Sequence, residues 1–134
     1  MDIDQPEVVA EVREAFERYE RALIGNDVGT LDALFHKDER TIRYGIRENL
    51  YGHKEVAAFR AGRAPIGLDR TRCRTLIATY GRDFAVASTL FHRPSLVGKV
   101  GRQMQTWVRL AQGWRVVAAH VSMIAVPSEG PGAA

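Results

Sequence analysis

The C-terminal segment, residues 102–123, constrains the fold of this chain more than any other part. It reads RQMQTWVRLAQGWRVVAAHVSM, so two runs of strand-forming residues flank Ala111-Gln112-Gly113. A glycine at the third position of a three-residue connection is typical of a β-hairpin closed through a G1 bulge. The sequence therefore predicts a long hairpin in which Leu110 pairs with Trp114.

This register decides which side chains share a face of the hairpin, because side chains alternate along a strand. One predicted face carries Gln103, Gln105, Trp107 and Arg109. The opposite predicted face carries Met104, Thr106, Val108, Leu110, Trp114, Val116 and Ala118, with Arg102, His120 and Ser122 at its far end. Two glutamines in line with a tryptophan favour a functional use of the first face.

His120 is the histidine whose position depends most on this register. With a three-residue loop it lies away from the glutamines, beside Met104 and Ser122, as a neutral histidine in an interface or core. With a two-residue loop it would lie opposite Gln105 and become an alternative member of the pocket. The remaining histidines, His36, His53 and His92, fall at element ends without metal-site spacing, so no metal is expected.

Length and charge restrict the class of protein. A chain of 134 residues is expected to form one domain, over 1–126, followed by a flexible tail at 127–134. The net charge of +3 comes from dispersed arginines without a basic run, which argues against nucleic-acid binding. Cys73 is the sole cysteine, so no intrachain disulfide and no cysteine-based metal site can form.

The N-terminal sequence MDIDQPEVVAEV lacks the basic and apolar regions of a signal peptide. The chain also has no run of about 20 apolar residues, the length that a membrane span requires. We therefore expect a cytoplasmic protein without membrane contact.

Apolar periodicity predicts helices first and strands afterwards. The first predicted helix begins at Pro6 and ends near Gly25-Asn26, two more span Asp27–Phe35 and His53–Arg63, and a short strand covers Thr41–Ile46. Four further strands are predicted over Arg72–Tyr80, Phe84–His92, Arg102–Leu110 and Trp114–Ile124. This order indicates an α+β fold, in which a strongly curved, mostly antiparallel sheet wraps around three N-terminal helices as a cone with an open mouth.

Several stretches carry a resemblance to a known superfamily. They are FERYERALIGNDVGTLDALF at 16–35, TIRYGIRENLYGHKEVAAFRAGR at 41–63, and GRQMQTWVR and GWRVVAAHVS in the hairpin. They resemble the SnoaL-like, nuclear transport factor 2-like superfamily, which includes ketosteroid isomerase and has the cystatin-like cone. Within it, the chain is most similar to the AtzH-like group, associated with oxalurate and triazine breakdown.

The resemblance implies positions for site residues. Tyr19 falls where the isomerase has its oxyanion-hole tyrosine, and Arg60 falls on the residue that supports that tyrosine. Tyr44 takes the place of the carboxylate base, and Gln103 or Gln105 takes the place of the protonated aspartate. Because no carboxylate occupies the base position, steroid isomerisation is not expected.

The residue types point to a small anion as ligand. An arginine fork binds a carboxylate with two hydrogen bonds, and a glutamine offers both a donor and an acceptor to an amide or ureido group. Trp107 could give a planar ligand a flat wall. The predicted ligand-binding residues are Tyr19, Arg43, Tyr44, Arg60, Gln103, Gln105 and Trp107. The alternative interpretation makes these residues ordinary core and surface positions.

Three functions remain open, and none of them calls for a cofactor. The chain could be an enzyme of ureide or amide catabolism whose base is unidentified; Glu48 could be that base or simply pair with an arginine. It could instead be a ligand-binding accessory protein in an amidohydrolase pathway. It could also be a non-catalytic, partner-binding scaffold. A homodimer through the outer sheet face is expected in each case.

Overall fold

The computed structural model describes residues 1–126 and consists of three helices and six strands. The helices are α1 (Pro6–Ile24), α2 (Val28–Leu34) and α3 (His53–Gly62). The strands are β1 (Ile42–Tyr44), β2 (Asn49–Tyr51), β3 (Thr71–Tyr80), β4 (Phe84–His92), β5 (Lys99–Leu110) and β6 (Gly113–Ala125). The predicted α+β class is confirmed, whereas the predicted tail at 127–134 lies outside the described residues.

The strands form one sheet in the order β2-β1-β6-β5-β4-β3, and β1 pairs with β6 in parallel. All other neighbours are antiparallel. A bulge interrupts β3 between Cys73 and Leu76, where Arg74 has a φ of 53°. A second irregularity lies between Thr106 and Trp107 of β5. Such bulges bend a strand and increase its twist, which favours a sheet that curves around the helices.

The closing hairpin differs from the predicted one. Its loop contains only Ala111 and Gln112, and Leu110 pairs with Gly113 instead of Trp114. Gly113 has a φ of 117°, a conformation that suits glycine, and this residue enters the ladder instead of the loop. The prediction of a three-residue loop was therefore wrong.

A bulge further along the hairpin compensates for the shorter loop. Trp107 pairs with Val116, but Thr106 pairs with Ala118, so Val117 is the extra residue of β6. Val116 and Trp114 consequently face the core, where their exposed fractions are 0% and 7%, and not the outer face on which they were predicted. Beyond the bulge the predicted register holds, as the next pairs show. Gln105 pairs with Ala119, and Gln103 pairs with Val121.

Helix α1 supplies much of the core under the sheet. Pro6 occupies its first turn, where the missing N–H leaves no hydrogen bond unmade. The buried apolar stripe consists of Val8, Val12, Phe16, Tyr19, Ala22 and Leu23. The chain turns after the helix through Asn26, whose φ is 51°. Within residues 1–126, no helix combines the length and the apolar character needed to cross a membrane.

Candidate functional site

A cavity of about 900 Å³ lies at the open end of the cone. Its wall is formed by β1 and the turn between β1 and β2, the end of α3, the segments that follow α3 and β4, and β6 at Val121 and Met123. The aromatic rings of Phe59 and Phe91 provide flat apolar surface. The cavity is therefore large enough for a small organic molecule.

Positive charge dominates the wall of this cavity. The cationic side chains that line it are Arg43, Arg47, Arg63, Arg93 and Lys99. Within the described chain, Glu48 is the one carboxylate among the lining residues. The Arg43 Nη1 atom donates to the Glu48 Oε1 atom at 2.9 Å, and the Arg43 guanidinium lies 5.2 Å from the centre of the Phe59 ring. The other cationic side chains of the wall therefore have no further carboxylate among the described lining residues to balance their charge.

Arg60 lies on α3 between Phe59 and Arg63, which line the cavity. Its side chain is only 3% exposed, its Nη1 atom donates to the Asp32 Oδ1 atom at 3.1 Å, and its guanidinium stacks 4.2 Å from the centre of the Phe35 ring. Its Nη2 atom has no hydrogen-bond partner among residues 1–126. Burial lowers the pKa of Arg60, against the raising effects of Tyr19 and Asp32.

Arg63, which lines the cavity, also has buried donors without a partner within residues 1–126. Its Nε and Nη2 atoms are buried and have no partner among the described residues. Burial lowers the pKa of Arg63, and the neighbouring charges of Arg43 and Arg60 lower it further. A buried guanidinium with unpaired donors is costly unless an acceptor is supplied, because each unpaired donor loses its hydration. The two arginines therefore form a site prepared for an acceptor.

Within the described chain, Gln103 is a third residue with an unpaired donor. Its Oε1 atom accepts from the Arg70 Nη2 atom at 3.1 Å, and its Nε2 atom has no partner among residues 1–126. Gln103 is 3% exposed and is paired across the sheet with Val121, which lines the cavity. The amide nitrogen is thus a buried donor on a residue that adjoins the cavity wall at Val121, and Gln103 also borders a groove on the outer sheet face.

Arg70 is held by a buried ion pair. Its Nε atom donates to the Glu20 Oε2 atom at 2.7 Å, and the two side chains are 1% and 5% exposed. The Arg70 guanidinium lies 4.4 Å from the centre of the Phe91 ring, and Arg93 lies 5.3 Å from the same centre. The aromatic ring in the cavity wall is therefore held by arginines of two different segments.

Tyr19 lies close to Arg60 and Arg63, the two arginines with unpaired donors among residues 1–126. It is 4% exposed, and its ring centre lies 6.3 Å from that of Phe35, the ring on which Arg60 stacks. Its phenol raises the pKa of both Arg60 and Arg63. Tyr19 and Arg60 thus lie against the same ring, that of Phe35.

Gln105 and Trp107 lie deeper in the core and do not line the cavity. The Trp107 Nε1 atom donates to the Gln105 Oε1 atom at 3.1 Å, and the two residues are 0% and 1% exposed. They face the interior of the cone, as the register predicts. Their contact with one another accounts for their burial without a ligand.

Tyr44 and His120 lie on the outer face of the sheet. The Tyr44 ring meets the His120 ring edge-on with the ring centres 6.3 Å apart, and its hydroxyl lies 3.0 Å from that of Tyr51. The structure therefore does not bring Tyr44 to the cavity, because Tyr44 pairs with His120 while the inward position is taken by Arg43. His120 stays outside even with a two-residue loop, since the bulge at Val117 restores the register.

Arg63 and Arg93 were missed by the sequence interpretation. Each follows an element and precedes a proline-containing loop, Arg63 after α3 and Arg93 after β4. Burial lowers the pKa of Arg93, as do the charges of Arg70 and Arg63. An arginine at such a junction lies where the ends of several elements meet, and this was the available signal. Within the described residues, no group of three or more metal-ligating side chains comes together.

A second groove, of about 570 Å³, lies on the outer sheet face. Its lining residues include Arg74, Leu76, Arg102, Met104 and His120. Leu76 and Met104 are 64% and 56% exposed, so this face presents apolar side chains to the surroundings.

Several solved structures are similar to this chain. A crystal structure of a protein of unknown function from Pectobacterium atrosepticum is 57% identical, with a TM-score of 0.90, and covers 92% of this chain and 96% of its own. A cystatin-like fold protein from Burkholderia xenovorans is 46% identical, with a TM-score of 0.91 and coverages of 95% and 99%. A nuclear transport factor 2-like superfamily protein from Salmonella enterica is 25% identical, with a TM-score of 0.69 and coverages of 96% and 97%.

These likenesses confirm the cystatin-like, nuclear transport factor 2-like fold. A comparison with curated proteins gives no match. The profile of the AtzH-like family matches residues 1–127, which include every helix and strand of the structure. The chain therefore belongs to the AtzH-like family.

Proposed function

We propose that this protein binds a small carboxylate of the ureide type, such as oxalurate, in the cavity of the cone. The observation that carries the proposal is the set of buried, unpaired donors on Arg60, Arg63 and Gln103. Each lacks an acceptor among residues 1–126, and each belongs to a residue that lines the cavity or adjoins one that does. A carboxylate offers two oxygen acceptors and a negative charge, so it satisfies such donors well.

The charge of the wall supports the same ligand class. Burial lowers the pKa values of Arg63 and Arg93, and the positive charges of neighbouring arginines lower them further. A bound anion relieves this repulsion and restores the hydrogen bonds that burial has removed. The proposal places the protein in ureide or amide catabolism, as a small enzyme or as an accessory protein of an amidohydrolase.

The Arg60→Ala variant tests the anion site. We expect oxalurate to bind this variant about 10- to 100-fold more weakly than the wild type, because a charge-assisted hydrogen bond contributes about 1.5–3 kcal/mol. The fold is expected to survive, since the side chain of Asp32 is 26% exposed and water can solvate its carboxylate. Isothermal titration calorimetry measures the affinity.

The matched control is Arg40→Ala. The side chain of Arg40 is 89% exposed and pairs with Asp38 away from the cavity. Equal affinities of the wild type and Arg60→Ala for oxalurate would contradict the anion site, as would a wild type that binds no oxalurate at millimolar concentration. Following the total concentration of oxalurate over time in the presence of the protein then distinguishes an enzyme, which consumes it, from an accessory protein.

The exposed apolar sheet face favours a second role, as an interface between two copies of this chain. Within residues 1–126, no helix or loop covers the groove around Leu76 and Met104. Burying such side chains against a second copy removes apolar surface from water, the main driving force of association. This role is compatible with ligand binding in the cavity, which opens at the end of the cone.

The Met104→Glu variant tests this interface. We expect the wild type to be a dimer and Met104→Glu to be a monomer in size-exclusion chromatography with light scattering, since the change buries an unpaired charge in the dimer. The control is Val97→Glu, at a residue that is 90% exposed in the loop before β5 and outside the groove. A monomeric wild type would rule out the interface.

A further inference from the structure

A glutamine side chain can present either a hydrogen-bond donor or an acceptor to a ligand. Its amide has an oxygen that accepts and a nitrogen that donates, and a half-turn of the amide exchanges them. Gln103 is paired with Val121 of the cavity wall, so the orientation of its amide determines whether it can offer a donor or an acceptor on that side.

The partner of Gln103 removes this ambiguity. Arg70 carries only N–H donors, so the Gln103 atom that lies 3.1 Å from its Nη2 atom must be the oxygen. Turning the amide would place the Nε2 hydrogens against those of the guanidinium and lose the hydrogen bond. The Nε2 atom is consequently the group of Gln103 that is left without a partner among residues 1–126.

The guanidinium itself has no freedom to turn. Its Nε and Nη2 atoms both donate to Glu20, its side chain is 1% exposed, and the ring of Phe91 lies against its face. Arg72 adds a further constraint, because its Nε atom lies 3.7 Å from the Glu20 Oε2 atom. The orientation of the Gln103 amide therefore traces back to the ion pair of Arg70 with Glu20.

We infer that Arg70 is a positioning residue that fixes Gln103 as a donor and thereby makes the site select a carboxylate over the matching carboxamide. The inference rests on the proposed function and names its specificity. The unpaired groups of Arg60, Arg63 and Gln103 are then all donors. A carboxamide turns its NH₂ group towards at least one of them and leaves that donor buried without an acceptor.

The test compares oxalurate with oxaluramide, which carries a carboxamide in place of the carboxylate. We expect the wild type to bind oxalurate at least about 100-fold more tightly, since a site built to hydrogen-bond one group rejects an analogue that leaves its partners unpaired. Calorimetry gives both affinities, and the measured quantity is their ratio.

The double variant Glu20→Met/Arg70→Met removes the constraint without changing the net charge. In it the Gln103 amide can turn, so we expect the ratio to fall by about tenfold while Arg60 and Arg63 still attract anions. In Arg70→Lys a donor-only group remains next to the Gln103 oxygen, and the ratio is expected to stay within about threefold of the wild type. The comparison of Arg70→Lys with the double variant shows whether Arg70 acts by orienting the Gln103 amide or only by supporting the fold.

Gln103→Met covers the case in which the double variant does not fold, because it leaves the ion pair intact. It removes the donor itself, and the ratio is expected to fall as in the double variant, whereas the exposed control Gln112→Met keeps it. A ratio unchanged in Gln103→Met or in the folded double variant overturns the role of Arg70, while oxalurate binding still stands. A wild type that binds neither compound overturns the proposed function and this inference together.

Discussion

Replacing Arg70 by methionine is expected to lower the free energy of unfolding by about 3–5 kcal/mol, because it leaves a buried carboxylate without its partner. That carboxylate belongs to Glu20, which is 4% exposed and accepts hydrogen bonds from the Arg70 Nε and Nη2 atoms. Arg72 is the nearest replacement, but its Nε atom lies 3.7 Å from Glu20 and its Nη2 atom already donates to Glu17. Urea unfolding followed by circular dichroism measures the change.

The double variant Glu20→Met/Arg70→Met is the matched control for stability as well. Removing both charges leaves no unpaired ion, and the apolar side chains pack against Phe91, so we expect a loss of less than about 2 kcal/mol. The comparison isolates the cost of an orphaned charge from the cost of lost packing. A single variant no less stable than the double variant would contradict the assignment of Glu20 as dependent on Arg70.

Gly101→Ala is expected to destabilise the fold by about 1–3 kcal/mol, the usual cost of forcing extra volume into a packed interior. Gly101 is paired across the sheet with Phe91, and a Cβ atom on it would come within 2.2 Å of the Phe91 Cζ atom. The Phe91 ring cannot move aside freely, because Arg70 and Arg93 lie within 4.4 Å and 5.3 Å of its centre. Chemical denaturation measures the loss.

Gly101→Ala is also expected to change the shape of the cavity, because the displaced Phe91 ring is part of its wall. A control is Gly62→Ala at the end of α3, where a Cβ atom meets nothing within 4 Å. That variant is expected to gain about 0.5–1 kcal/mol, since alanine loses less backbone entropy than glycine in a helix. If Gly101→Ala were as stable as the wild type, the close approach of the ring to the backbone would be refuted.

The sequence predicts most of the fold because long elements repeat a strong pattern. Helix α1 and strands β3 to β6 follow from their periodicity, and their bounds differ from the predicted ones by a few residues at most. Strand β2 was not predicted, since three residues are too few to show a period of two. The bulge at Val117 was also missed, because a bulge depends on contacts with neighbouring strands that no local pattern encodes.

The sequence pointed to some of the residues of the candidate site and not to others. The resemblance led to Tyr19 and Arg60, and the inward face of the hairpin led to Gln103. Arg63 and Arg93 were missed because their role depends on the meeting of two loops that are distant in sequence. For Tyr44 the decisive fact is the parallel pairing with β6, which assigns it to the outer face beside His120.

The place of β6 in the sheet has a consequence for the order in which the molecule can assemble. As the last strand of the described chain, β6 nevertheless lies in the interior of the sheet, between β5 and β1. While the chain is being synthesised, β1 can pair only with β2, because its other neighbour in the sheet, β6, has not yet left the ribosome. Such non-local pairing slows folding and leaves strand edges exposed to other chains in the meantime. The wall at Val121 and Met123 forms at the same step, so the cavity is complete only after β6 has been synthesised and has paired.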